Sequence, residues 1–404
     1  MFTIMRYTFR MKIPKMMHRE TLTKRRVTRS VMLAIVVVAL TTTACGAESA
    51  DDVPVLRIGV LAPLSGDYEP LGHSVRDSVL LAAETWNREG GVLGFEVQIV
   101  LEDTACDYQG GRAAAEAAID AGATFLIGAV CAGASEGVAQ VAMASDVLQV
   151  TPGSVNLDLT LDVDGEVRDL VYRVPSVDDV QGAVAARFAL ERLNHETAAV
   201  LYAEDSVYGG ALAQAFVAAF EAGDGEILEV QTYDQDAEVF FEVLDGVREA
   251  SPEVLYLPGY YTVMNTLVAQ ARQFGLLMPV IGSDGWHAPG LDLDVAEGAY
   301  FTTHYLAEEP RSVVQSWVRL YQERYLVPPD ALATMSYDAA NLLFASIESA
   351  GTTDTSLVAQ AMGEMEFEGG SGTFAFDEAH NPVRALIIMR VDPAGLVYQG
   401  RFEP

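Results

Sequence analysis

The sequence predicts an α/β fold: two Rossmann-like lobes with parallel sheets, joined by three crossover segments. Three observations predict it. Short β-branched runs alternate with Ala-rich runs of helical spacing, and strands that alternate with helices form parallel sheets with crossover helices. The alternation falls into two series, broken at Arg173-Val174-Pro175. An export leader precedes it, and the 360 residues that remain from Cys45 onward exceed what one core usually organises.

The leader comes first. Lys24, Arg25, Arg26 and Arg29 precede the apolar run Val31–Leu40 (VMLAIVVVAL), and Thr41-Thr42-Thr43-Ala44-Cys45 follows. A basic stretch, a short apolar stretch and small residues make a signal peptide, here residues 1–44. The run falls short of the ~20 residues of a transmembrane span. Cys45 stands where a bacterial lipoprotein is cleaved and acylated, which makes the lipid a membrane anchor and residues 45–54 a linker. Plain cleaved secretion and an uncleaved anchor are the alternatives; all three put the folded part outside the cytoplasm, in the periplasm or on the cell surface. A start at Met16 or Met17 would give a leader of more ordinary length.

In the first series, Val55–Ala62 is a strand by its Val/Ile/Leu density, and Gly72 to Glu89 carries Val75, Val79, Leu80, Ala83 and Trp86 at helical spacing. Phe95–Leu101, Thr124–Val130 and Leu148–Thr151 are strands, with helices at Gly111–Ala121 and Ser135–Ser145. The second series has helices at Val180–Leu193, Tyr208–Glu221, Glu238–Ala250 and Tyr261–Phe274. Its strands are Ala198–Ala203, Glu226–Thr232, Val254–Leu257 and Val280–Gly282. In the tail, Pro310–Arg324 and Leu332–Ala350 read as helices, and Arg384–Asp392 and Leu396–Phe402 as strands. These are too few for a third domain, so they pack on the two lobes. The chain then crosses between lobes near Val174, near Thr302–His304 and near Phe376–Asp377. One lobe is 55–174 plus 303–377, the other 175–302 plus 378–404, and the crossings between them form a hinge.

Composition narrows the function. The mature part holds sixteen basic and 56 acidic residues, and every basic one is arginine. Without lysine there is no phosphate-binding Gly-Lys loop and no Schiff-base amine. A net charge of −40 excludes nucleic acid as a partner. The acidity itself reads as a solvated surface. Cys106 and Cys131 remain once Cys45 is set aside; in an exported chain such a pair reads as a disulfide, with two free buried thiols as the alternative. The mature histidines form no pair at metal-ligand spacing and there is no Cys-x-x-Cys, so no metal and no cofactor is expected.

Ligands of open α/β sheets bind beyond the carboxyl ends of the strands. Two of the loops there, Cys131-Ala132-Gly133-Ala134-Ser135 and Pro152-Gly153-Ser154-Val155-Asn156, offer backbone N–H groups and small hydroxyl residues, which suit a carboxylate. Three others, holding Tyr208, Tyr260-Tyr261 and Ser283-Asp284-Gly285-Trp286, supply tyrosines and an acid. An acid facing a helix N-terminus across a cleft would hold a zwitterion, which makes the ligand amino-acid-like.

Several motifs together carry a family resemblance. They are Ile58-Gly59-Val60-Leu61-Ala62-Pro63-Leu64-Ser65-Gly66, Asn87-Arg88-Glu89-Gly90-Gly91-Val92-Leu93-Gly94, Glu102-Asp103-Thr104-Ala105-Cys106-Asp107, Leu126-Ile127-Gly128, Tyr208-Gly209 and Gly282-Ser283-Asp284-Gly285-Trp286. From Leu56 to Phe402 the chain resembles the Leu/Ile/Val-binding family, the periplasmic solute-binding proteins of branched-chain amino acid ABC transporters. The resemblance implies the periplasmic-binding-protein type I fold, a monomer, a small-molecule ligand, delivery to an ABC permease and no catalysis. It implies that Asp284 accepts the ligand's ammonium, that Tyr208 and Tyr260 line the cleft from the second lobe, and that Cys106 and Cys131 are bridged. The loop Gly153-Ser154-Val155 matches one that meets the ligand with main-chain groups and a threonine hydroxyl. Here that threonine is Val155, a frequent serine is Ala132, and Leu71 stands where a cleft aromatic is common. Backbone N–H groups at Ala132, Gly133 and Val155, with Ser154, remain to hold a carboxylate.

Two other functions stay open on the sequence. Amides, urea-like compounds or aromatic acids are alternative ligands, and a sensor would read the same lobes without transport. Gly133-Ala134-Ser135-Glu136-Gly137 fits a nucleophile elbow between strand and helix, and Ser135, Asp284 and His287 or His304 stand in the order of a hydrolase triad.

Overall fold

The computed structural model describes residues 53–403, together with a two-residue strand β1 (Arg6–Tyr7). The apolar run of the leader and Cys45 lie outside the described residues.

The first sheet is parallel and five-stranded, in the order β3-β2-β4-β5-β6. Its strands are β2 (Val55–Ala62), β3 (Glu96–Asp103), β4 (Phe125–Gly128), β5 (Leu148–Thr151) and β6 (Val171–Arg173). Helices α1 (Glu69–Arg88), α2 (Tyr108–Asp120) and α3 (Ala132–Ala144) connect the first four. β2 is the reason the sequence reads so clearly here. Both its faces are covered, so it is apolar almost without interruption and only Arg57 reaches solvent.

After β6 the chain enters a seven-stranded sheet through α4 (Asp178–Glu191). There follow β7 (Thr197–Ala203), α5 (Val207–Ala222), β8 (Glu226–Tyr233), α6 (Phe241–Ala250), β9 (Val254–Leu257), α7 (Tyr261–Gln273), β10 (Val280–Gly282) and β11 (Tyr300–Thr303). These five strands are parallel. The chain then leaves for α8 (Ser312–Tyr325), α9 (Ala331–Ala350), α10 (Thr355–Gly363) and the short strands β12 (Glu366–Gly369), β13 (Gly372–Phe376) and β14 (Pro382–Val383). It returns with β15 (Leu386–Asp392) and β16 (Gly395–Phe402), which add antiparallel strands beside β11 and complete the order β16-β15-β11-β10-β9-β7-β8. α9 is buried at every position from Ala331 to Ile347 and packs on α1, α10 and the first sheet. Its Leu342, Leu343 and Phe344 belong to the same core as Ile58, Phe125 and Leu148.

The alternation of the sequence is thus the alternation of the fold, and the tail supplies α8 to α10, a small sheet with β12 to β14, and two strands beside β11. Differences lie where the pattern is short. β6, β11, α10 and β12 to β14 are not marked in the sequence; the strands among them are short and lack the continuous apolar runs that mark the equally short β9 and β10. α1 starts at Glu69, ahead of Gly72, because Pro70 takes an opening position where no N–H is needed. α6 starts at Phe241, later than Glu238. The third crossing also falls later than Phe376–Asp377. β13 pairs with β14 through Ala375–Val383 and Phe376–Pro382, so the chain stays with the first lobe's small strands up to Val383. Arg384 then turns inward, its guanidinium donating to the carbonyls of Val174 (3.2 Å) and His304 (3.1 Å). That is why the last long strand begins at Leu386 and not at Arg384. Arg384 thereby touches all three passages between the sheets.

Cys106 and Cys131 form a disulfide, with Cα atoms 5.4 Å apart. It fastens the loop after β3 to the first turn of α3.

Candidate ligand-binding site

Asp284 follows β10 directly. Gly282 is needed at the strand end because a Cβ there would lie 2.3 Å from the Trp286 indole, which is fully buried beneath the turn. Trp286 pins a single 3-10 turn, Asp284–Trp286, over the carboxyl end of the sheet. α5 opens with Ser206, whose hydroxyl accepts from the Gly209 N–H (2.9 Å) and caps the helix. That start aims Tyr208 across the sheet edge at the turn. The Tyr208 hydroxyl donates to Asp284 Oδ1 (2.6 Å) and accepts from the Gly285 N–H (2.9 Å). Ser283 lies 2.8 Å from the same hydroxyl and accepts from the Gly259 N–H (3.1 Å). Tyr260 stacks on Tyr208 with centroids 4.8 Å apart, and Tyr68 from the first lobe meets Tyr260 edge-on at 5.2 Å.

Around these groups lies a cavity of about 430 Å³ between the two lobes. Tyr208, Tyr260, Asp284 and His287 face it from one side; Leu71, Val130, Gly153, Leu332 and Met335 face it from the other. A second space of about 650 Å³ adjoins it, bordered by Ala132, Gly133, the disulfide, Asp205, Gln235 and both tyrosines. Cys131 caps α3 without a side-chain bond, and the start of that helix at Ala132 and Gly133 borders this space, where the helix dipole favours an anion. Among the described residues no arginine borders either cavity. A ligand's negative end therefore meets no cation there, only neutral donors such as main-chain N–H groups, the Gln235 amide and the tyrosine hydroxyls.

The structure brings Gly153, Tyr208, Tyr260 and Asp284 to one cavity and Ala132 and Gly133 to its neighbour. Ser154 and Val155 stand behind the wall, each 1% exposed. Ser154 N–H donates to Thr151 Oγ1 (3.0 Å), and the Ser154 hydroxyl has no partner. Val155 packs with Ala132, Leu212, Tyr208 and Tyr260, closing the two lobes with an apolar contact where a hydroxyl would have been polar.

Burial raises Asp284 to about 6, against the Tyr208 hydrogen bond and the nearby Gln181 amide and Gly285 N–H, which favour the carboxylate. Tyr208 is pushed well above its usual value by burial and then by Asp284. His287 is brought down to about 4 by burial and pairs through Nδ1 with Thr303 Oγ1 (2.7 Å). Behind Asp284 stand two residues the sequence did not single out as binding residues. His304 places Nδ1 3.6 Å from Asp284 Oδ2. Asp178, 1% exposed, has neither carboxylate oxygen bonded; burial, then Asp284, lift it well above the usual range. Both stand beside a predicted crossing, and His304 is singled out in the sequence only as a histidine in the order of a hydrolase triad.

A family model for periplasmic binding proteins matches residues 55–396. The chain belongs to the periplasmic binding protein family. Among its relatives, the leucine-, isoleucine-, valine-, threonine- and alanine-binding protein of Pseudomonas aeruginosa is 26% identical over 327 residues, 80% of this chain and 86% of the relative. A Leu/Ile/Val-binding protein homologue of Brucella melitensis is 28% identical over 331 residues, 80% of this chain and 87% of the relative. The crystal structure of a leucine-binding protein from Thermotoga maritima superposes with a TM-score of 0.81 at 29% identity, over 87% of this chain and 99% of that one.

The hydrolase alternative fails on geometry in this periplasmic binding protein. Ser135 is fully buried and its hydroxyl has no hydrogen-bond partner, while its carbonyl accepts from Gln149 (3.3 Å). A nucleophile needs a base within reach, but His287 is paired with Thr303 and His304 with the Ser176 N–H. Among the described residues no group of three or more His, Cys, Asp or Glu is placed to hold a metal ion, and no helix is long and apolar enough to cross a membrane.

Proposed function

We propose that this protein captures a small amino acid, branched-chain or otherwise hydrophobic, between its lobes and delivers it to an ABC permease, with a lipid on Cys45 holding it at the membrane. The observation that carries the reading is Asp284. It is the one acid bordering the inner cavity, it is held by Tyr208, and it faces an apolar wall of Leu71, Leu332 and Met335. An ammonium group placed against Asp284 leaves an aliphatic side chain against that wall. The carboxylate then reaches toward the N–H groups of Ala132 and Gly133 at the start of α3, assisted by the dipole of that helix. The names of the relatives, leucine-, isoleucine- and valine-binding proteins, support the same ligand class.

The lobes act as two bodies, 55–174 with the tail from 303 to the β13–β14 pair, and 175–302 with the last two strands. A ligand that touches both favours their closed arrangement. Loss of the hydroxyls at positions 132 and 155 weighs toward a second reading, in which the ligand is an amide or an aromatic acid and the protein reports its presence to a receptor.

A thermal-shift screen of the soluble chain from Gly46 tests the reading, using the twenty amino acids, small amides and aromatic carboxylates. A ligand at a hundred times its Kd adds ~2.7 kcal/mol to stability. A raised Tm with leucine, isoleucine or valine is the expected result. A shift confined to amides or aromatic acids would move the protein to the second reading.

A further inference from the structure

His304 stands fully buried at the passage from β11 back to the first lobe, and its two ring nitrogens face different things. Nε2 accepts from the Ser176 N–H at 3.0 Å, across the passage that leads out of β6. A nitrogen that accepts a backbone N–H carries no proton, so in the neutral ring the proton sits on Nδ1. Nδ1 has no hydrogen-bond partner, and it lies 3.6 Å from Asp284 Oδ2. An unpartnered N–H in a fully buried position is costly unless it meets an acceptor, and the nearest charged acceptor is the carboxylate at the rear of the ligand cavity. The same histidine's carbonyl accepts from Arg384, on the third passage. One side chain thus spans the hinge and the ligand-binding acid.

We propose that His304 is a positioning residue for the binding site: the Ser176 N–H fixes its tautomer, and its Nδ1–H holds Asp284 as a carboxylate aimed at the ligand's ammonium. The inference rests on Asp284 being the ligand's acid. The 3.6 Å separation is longer than a formed hydrogen bond, and the contact tightens when the ammonium fixes the carboxylate. Asp284 Oδ1 is already taken by Tyr208, so His304 supplies the donor for the other oxygen. Several other groups face this pair. Asp178 and Gln181 stand on α4, Tyr256 on β9, His287 after β10, Arg173 at the end of β6 and Arg384 before β15. Asp178 opposes the carboxylate form of Asp284, which makes a donor to Asp284 the more necessary. Burial, with Arg384 and His287 adding to it, holds His304 well below the usual histidine range, so the ring stays neutral across physiological pH.

Two near-isosteric variants separate the two nitrogens. In His304→Asn the amide nitrogen takes the place of Nδ1, keeping the donor toward Asp284 and losing the acceptor for Ser176. In His304→Gln the amide oxygen takes the place of Nε2, keeping the acceptor and losing the donor. L-leucine binding is followed by calorimetry from pH 5 to 8 for both variants, the parent protein and Asp284→Asn. The expected result is affinity within about threefold of the parent for His304→Asn. For His304→Gln a loss of about tenfold is expected, together with an upward shift in the pH at which binding is half lost. In the parent, ¹⁵N shifts of His304 should report the Nδ1–H form throughout.

Equal behaviour of the two variants, with an unmoved pH midpoint, would overturn the proposal and leave His304 a packing residue. An Nε2–H tautomer would overturn it as well. Failure of the parent to bind leucine, or undiminished binding by Asp284→Asn, would instead remove the functional reading beneath it.

Discussion

Asp284 is the residue on which electrostatics and the proposed function meet. Its folded pKa, about 6, lies above the 3.8 of an exposed carboxyl, so between those values the native chain binds more protons than the unfolded one. The stabilising contribution of its protonated form therefore fades as pH rises from 4 to 6, and above 6 the cost of the buried charge stands in full. Two pH units correspond to about 3 kcal/mol. Asp284→Asn keeps an acceptor for Tyr208 and removes the charge. At pH 7 its ligand-free Tm should rise, while the shift produced by leucine should vanish; thermal melts with and without leucine show both. Binding an ammonium needs the carboxylate, so in the parent leucine affinity should fall about tenfold per pH unit below pH 6, as calorimetry at pH 4.5 to 7.5 would reveal. Asp284 and Tyr208 were legible in the sequence because they follow strand ends. His304 and Asp178 were not, because what matters in them is an unpaired atom inside a crossing, and no spacing marks that.

At the scale of the element, α3 carries the argument. Its start borders the outer cavity, and the disulfide at its first turn holds it to the loop after β3. The bridged loop spans 25 residues, for which chain entropy gives about 3 kcal/mol. The double variant Cys106→Ala with Cys131→Ala should lose about that much stability in urea unfolding. It should also bind leucine more weakly, since the N–H groups of α3 are then less well placed. Ala132→Ser adds a hydroxyl at the same terminus and should strengthen leucine binding several-fold by calorimetry, with little change in Tm. Long elements such as β2, α1 and α9 could be read from the sequence because burial on a face or all round leaves a periodic or continuous apolar signal. The pair β12–β13 could not: it turns at Gly369-Gly370-Ser371, whose N–H groups at 370 and 371 bond the buried Asp338 carboxylate far away in sequence.

For the whole molecule, the lobes meet at few places. Tyr68 from the first receives a hydrogen bond from Gln235 of the second (3.2 Å) and touches Tyr260, while Val155 and Ala132 pack on Tyr208 and Leu212. In the proposed mechanism these contacts are the ones that opening of the lobes would break. Val155→Asp would put an unpaired charge in that apolar seam and should hold the lobes apart. Small-angle scattering should then give a larger radius of gyration that leucine no longer reduces. The two lobes could be read from the break in alternation after Arg173. Their exact exchange of strands could not, because it is settled by β13 pairing with β14 and by Arg384 turning inward.

The interlacing of the two lobes has a consequence for how the protein is made. The core under the first sheet is closed by α9, which arrives after every strand of the second sheet except β15 and β16. A chain emerging from its amino end therefore cannot seal its first lobe until about residue 350 has appeared. If the leader directs export as the sequence predicts, a late-closing first lobe would suit a chain that must cross a membrane unfolded.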